Sequence, residues 1–154
     1  MTTDINSRIL ELGIQIPNPR TPSANYIPFV KADKLIFISG QVSMAIDGLI
    51  AGKLGLNIDV ENGKKAARAC GLNLLGQLKI ACEGNLNKVQ RVVKLGGFVN
   101  STPNFIDAPT IINGASDLIA SVFGEAGMHT RAAVSANSLP LGVSVEVDAI
   151  FELN

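Results

Sequence analysis

From Val60 to about Glu83, small and apolar residues recur at intervals of three and four: Ala66, Ala67, Cys70, Leu74, Leu78 and Ala81. That spacing predicts one helical stripe, opened near Asp59 and closed by Gly84, which needs a sheet to lie on. The same rhythm returns between Phe105 and Phe123, where Ile112, Leu118, Ile119, Val122 and Phe123 form the core side of a second helix. Elsewhere the pattern alternates. "NYIPFV" and "KLIFISGQVS", separated by "KADK", read as a β-hairpin, and "KVQRVVKLGGFVN" reads as a strand whose glycine pair marks a bulge. Arg131–Ala136 and Val143–Leu153 are the last two strands, joined through "NSLPLG", and the glycine-rich "MAIDGLIAGKLGLNIDV" fits a hairpin or a broad loop. At the front, Asp4 caps a short amphipathic helix carrying Ile5, Ile9, Leu10 and Leu12 that stops at Gly13. Three prolines in "IPNPRTPS" then break regular structure. Residues 1–22 are expected to be an N-terminal extension and residues 23–154 a single domain. The element order suits two helices on one face of a mixed sheet, an α+β layer.

Composition narrows this picture. Apolar residues make up 47% of the 154 residues and charged residues only 17%, with one tyrosine and no tryptophan. So weakly polar a surface favours an oligomer. Thirteen basic and thirteen acidic side chains give a formal net charge of zero, which disfavours nucleic acid and anionic membranes as partners. Cys70 and Cys82 fall on one predicted helix roughly 18 Å apart, beyond disulfide reach, and read as buried thiols. The N-terminus has no basic segment followed by an apolar run, and no stretch approaches a membrane span, so a cytoplasmic location is expected.

The chemistry concentrates near the C-terminus. Val143, Val145 and Val147 alternate with Ser144, Glu146 and Asp148, which places valines under the helices and carboxylates on the other face. If Arg131 begins the preceding strand, its side chain can share that polar face. By residue type alone a structural ion pair, with Glu146 itself or across a subunit boundary, is the simpler account of Arg131. Tyr26 reads equally as a packing residue or a pocket donor. His129 is the only histidine, so neither a Ser-His-Asp triad nor a zinc site with several histidines can be assembled; it reads as a non-catalytic loop residue near the pocket. "GKLG" and Gly96-Gly97 lack the spacing of phosphate-cradling loops. Lys64, Lys65, Arg68 and Lys79 are the wet side of the first long helix.

Arg131, the Leu139-Pro140 pair and Glu146 are spaced as in the C-terminal signature of the YjgF-like, or Rid (reactive intermediate deaminase), family, which this chain resembles over roughly residues 24 to 152. Tyr26 and Ser39-Gly40-Gln41 resemble the opening hairpin of the same family. The resemblance implies a chorismate mutase-like fold, usually a homotrimer with a central β-barrel and pockets between subunits. It also implies hydrolysis of small enamine or imine carboxylates, such as 2-aminoacrylate or 2-iminobutyrate, to 2-keto acids and ammonia without metal or cofactor. By the same resemblance, Arg131 would grip the substrate carboxylate, and Glu146 would orient water and shuttle protons. Tyr26, Ser39, Ala133 and a helix residue, Asn113 or Ser116, would line the pocket.

This chain departs from the family where Ala133 stands in place of a common cysteine, which rules out thiol chemistry there, and in its N-terminal extension; both mark a divergent branch. Two other readings stay open: a non-catalytic trimer that binds keto acids, and RNA cleavage, for which the chain shows no basic stripe with stacking aromatics.

Overall fold

The computed structural model describes residues 4–21 and 25–154. Helix α1 spans Ile5–Glu11, its first turn capped by the Asp4 carboxylate, which accepts from the Asn6 N–H. Strands β1 (Phe29–Ala32) and β2 (Leu35–Val42) form the expected hairpin, and the glycine-rich segment holds a two-stranded ribbon, β3 (Met44–Ala45) and β4 (Gly48–Leu49). Helix α2 (Val60–Ala81) begins where Asp59 accepts from the Asn62 N–H at 2.8 Å. Strand β5 (Val89–Asn100), helix α3 (Ala108–Phe123) and strands β6 (Thr130–Ala136) and β7 (Val145–Leu153) complete the chain. Helix α3 starts three residues later than its periodicity predicted, because Asp107 and the Ala108-Pro109 opening set its first turn.

The main sheet has the order β1-β2-β7-β5-β6. Strands β6 and β7, consecutive in sequence, are therefore not neighbours: β7 inserts antiparallel between β2 and β5, and β6 runs parallel to β5 at the sheet's outer edge. Both long helices cover one face, where Ile36, Leu95, Val99, Val145, Val147 and Phe151 are buried beneath them. The stripe residues Ala66, Cys70, Leu74 and Leu78 of α2, and Ile112, Leu118 and Ile119 of α3, face them as the periodicity predicted. Burying side chains of this size is worth roughly 1.5–3 kcal/mol each.

Three expectations need correction. The irregularities of β5 lie at Val89/Arg91 and Val92/Lys94, not at Gly96-Gly97. The glycine pair instead admits neighbouring side chains: a Cβ on Gly96 would meet the Asp148 carboxylate, and one on Gly97 would lie 2.6 Å from Ile112 Cδ1. Ser144 does not stand with the carboxylates in the open; it is buried and donates to the Gly52 carbonyl at 3.0 Å, just ahead of β7. Cys82 lies just past α2 as its C-cap; it and Cys70 are both buried and unpaired.

Residues 5–14 do not hang free, since Ile9 and Ile14 belong to the same buried cluster as the helices. The expected junction between extension and domain, at residues 22–23, lies outside the described residues. No helix is long and apolar enough to cross a membrane among the described residues.

Candidate active site

Strand β1 pairs only with residues 35–38 of β2, so beyond the bond from the Ser39 N–H to the Pro28 carbonyl the rest of β2 is an edge. Around that edge lies a cleft of about 730 Å³. Its wall includes Tyr26, Gly40, Gln41, Asn73, Gln77 and Glu146, with Arg20 at one side and Leu141 at another. The cleft thus draws on the open face of the sheet, through Glu146, and on α2, through Asn73 and Gln77.

Glu146 reaches the cleft because residue 40 has no side chain. The Glu146 carboxylate lies over Gly40, so that a Cβ there would strike Oε1 and sit 3.0 Å from Cδ. Partial burial holds the Glu146 carboxyl above its ordinary value of 4.5, and the Asp148 carboxylate two residues on adds to the shift. Asp148 is raised too, by burial first, with Lys94 opposing. On the other side of the sheet the buried Cys70 Sγ donates to the Val145 carbonyl at 3.4 Å; burial, and then the Glu146 charge, push its thiol well up, so it stays neutral.

Gln77 was not among the residues singled out from the sequence. It is only 3% exposed, and among the described residues its amide makes no hydrogen bond. Asn73, one turn earlier, is occupied, donating to the Met44 carbonyl at 3.0 Å and more weakly to Val42. The signal for Gln77 was in the sequence: it falls three residues after Leu74 and four before Ala81, on the apolar stripe, where a solvated glutamine has no place.

Arg131 lies elsewhere, and its expected place is corrected. In the register, Arg131 pairs with Leu95, whose side chain is buried under the helices, whereas Glu146 pairs with Phe98 on the open face. Arg131 therefore emerges on the helix side, two strands and three residues from Glu146, a separation of roughly 14 Å from strand spacing and rise. Neither residue enters an ion pair among the described residues.

The guanidinium is held by α3. Its Nη1 donates to Asn113 Oδ1 at 2.8 Å and to Ser116 Oγ at 3.1 Å, and its Nη2 points at the Pro109 carbonyl, 3.4 Å away. Both residues left open by the helix register thus serve one arginine. Ser116 Oγ also lies 3.0 Å from His129 Nε2, while His129 Nδ1 lies 2.6 Å from the Gly127 carbonyl. A carbonyl can only accept, so Nδ1 carries hydrogen. A neutral ring then accepts from Ser116 through Nε2, which leaves the serine lone pairs for Arg131. No described residue accepts from Nε, and Nη2, with only the long bond to Pro109, keeps a second N–H, so this side of the guanidinium retains donors for a guest.

Of the other expected site residues, Tyr26 is 54% exposed at the cleft mouth. Ser39 is occupied: its hydroxyl donates to the Ile27 carbonyl at 2.8 Å, which ties the approach to β1 onto β2. Ala133 is paired with Gly97 on β6, next to Arg131 on the helix side. A second hollow, beside α1, contains Arg8, but that guanidinium already donates to the Ser121 carbonyl.

The described residues thus hold two separate clusters, Glu146 with Tyr26 and Gln77 at the β2 edge, and Arg131 with Asn113, Ser116 and His129 at the β6 edge. Residues 6–153 match the family model described as "YjgF/chorismate mutase-like, putative endoribonuclease". The protein is 44% identical over 152 residues to Protein TCP17 of Trypanosoma cruzi, covering 97% of this chain and 94% of that protein. Among solved structures it is similar to Atu1372 of Agrobacterium tumefaciens, whose function is described as unknown, at 45% identity and a TM-score of 0.90, covering 97% of this chain and 92% of the other. It is also similar to a "putative endoribonuclease" of Shewanella oneidensis, at 32% identity and a TM-score of 0.93, covering 98% and 100%.

Proposed function

This chain belongs to the YjgF/chorismate mutase-like family, and on that premise we propose that it hydrolyses small imine carboxylates at sites completed between two copies. The observation that carries the reading is the split constellation: an acid with a raised pKa in a cleft at one sheet edge, and an arginine with an open fork at the other. Surfaces on different edges meet head to tail, and such contacts close into rings when the rotation permits, here a trimer. The outer strand β6 supports the same reading, since an unpaired edge with apolar side chains at Ala132 and Val134 calls for cover.

In such a site the Arg131 fork of one copy binds the substrate carboxylate with two parallel hydrogen bonds, beside the Glu146 cleft of the next. An enamine first takes a proton at carbon to become the imine. Glu146 then accepts a proton from water as the oxygen bonds to the imine carbon, and the C=N π pair moves to nitrogen. Glu146 returns the proton to nitrogen; as the C–N bond breaks it takes the hydroxyl proton, the C=O bond forms, and ammonia leaves carrying that proton away as ammonium. A carboxylate whose pKa is lifted toward the working pH suits both transfers.

Mixing two inactive variants tests this. Arg131→Ala and Glu146→Gln, each unable to accelerate 2-iminobutyrate hydrolysis alone, should recover about a quarter of wild-type sites when refolded together in equal amounts, because one interface in four pairs the intact halves. No recovery, with both variants forming wild-type oligomers, would mean that the two residues do not share a site. Keto-acid binding without turnover by the wild type would favour a binding protein instead.

A further inference from the structure

The cleft holds more recognition chemistry than a three- or four-carbon imine can use. Arg20 and Glu146 are the only charged groups lining it among the described residues, and Gln77, a residue only 3% exposed, brings to the wall an amide that bonds no other described residue. An amide set in an apolar helix stripe and opening onto a cleft has its donors and acceptor available to a ligand or water there. Arg20 is held near it by construction. The segment Pro17–Pro19 runs across α2 at Gly76, where a Cβ would lie 2.8 Å from the Pro17 carbonyl oxygen and 3.3 Å from Pro19 Cγ. Gly76 and Gln77 are adjacent on α2, so the crossing that seats the extension also brings Arg20 to the wall that Gln77 opens into.

Charge sets the orientation of a guest. Glu146 attracts the protonated imine end and repels a carboxylate, so an anionic arm is placed away from it, toward Arg20. Guanidinium and amide N–H groups are both donors that a carboxylate satisfies, whereas a methyl terminus would leave Gln77 unpaired. We propose that the substrate is a dicarboxylic imine, its reacting end beside Glu146 and its distal carboxylate bound by Arg20 and Gln77. The reaction rests on the deaminase reading above; the recognition does not.

The test uses imines generated by an amino-acid oxidase from glutamate and from norvaline, which share a five-carbon chain and differ in ending in a carboxylate or a methyl group. Wild type should release ammonia from the glutamate imine with a kcat/KM about 10- to 100-fold above that for the norvaline imine. Arg20→Gln should remove most of that preference while leaving the norvaline imine within about twofold, and Gln77→Leu should lower kcat/KM for the glutamate imine more than for the norvaline imine. Equal rates on both imines in the wild type would overturn the inference and leave deamination standing. So would an Arg20→Gln variant that loses both substrates alike, since Arg20 would then hold the carboxylate common to them. If neither imine is turned over, calorimetry with the two keto-acid products decides. Tighter binding of 2-oxoglutarate than of 2-oxopentanoate, abolished by Arg20→Gln, would keep the recognition and discard the catalysis; equal affinities would discard both.

Discussion

At the scale of single residues, the position of the Glu146 carboxylate depends on an atom that is missing. Gly40→Ala places a methyl group where Oε1 now rests, and the flexible carboxylate yields more easily than the backbone. Stability should change by less than about 1 kcal/mol, while imine hydrolysis falls about 100-fold from displacement of the base. A variant of unchanged activity would show that Glu146 works from another rotamer. The raised pKa of Glu146 also has a thermodynamic sign. Because the folded form holds its proton more tightly than the unfolded chain, the native state binds more protons, and stability is lost as pH rises from about 4.5 through the folded pKa. Glu146→Gln removes that loss. Its melting temperature at pH 7 should exceed that of the wild type, and the two should converge below pH 4; calorimetry across this range checks both. The acid limb of kcat should likewise lie above the ordinary carboxylate range.

At the scale of elements, the helices and most strands were legible because three-and-four periodicity and alternation are local properties of the chain. The Asp59 cap, the α2 stripe and the β1-β2 hairpin follow from neighbours in sequence. The face presented by Arg131 does not. It is set by the parallel register of β6 on β5, two strands separated in sequence by α3. For the site, Tyr26 and Glu146 were found at the cleft and Asn113 and Ser116 at the arginine, while Gln77 was passed over because residue type outweighed its place on the stripe. The crossing of the extension over α2 was equally hidden, since Gly76 reads as a weak spot in a helix until Pro17 and Pro19 are seen against it. Gly76→Ala should gain up to about 1 kcal/mol of helix propensity and still loosen the extension. Limited proteolysis near Arg20 should quicken, and the preference for the glutamate imine should drop, with the far-UV spectrum unchanged, because the Pro17 backbone and not the helix has to give way. Unchanged cleavage and preference would show that the crossing tolerates a Cβ.

At the scale of the whole molecule, the face of the sheet away from the helices carries Phe37, Phe98 and Val134, each between 38% and 49% exposed, alongside Glu146 and Asp148. Apolar side chains shared out among carboxylates on one sheet face fit an interface that also contains water and a polar guest. Val134→Lys should place an ammonium in that interface. Sedimentation should then show a shift to monomer and imine hydrolysis should disappear, while the far-UV spectrum stays that of the wild type. An intact, active oligomer would move the interface elsewhere.

The placement of the two half-sites on opposite edges governs how damage spreads through a mixed population. In a ring built head to tail, a copy lacking only Arg131 disables one site, and activity declines linearly with the dose of that copy. A copy lacking both Arg131 and Glu146 disables the sites on either side of it, so output declines as the square of the intact fraction. Two lesions on one of two alleles, and the same lesions divided between the two, would therefore leave the same quarter of the sites, whereas a site contained within one copy would keep half in the first case and none in the second.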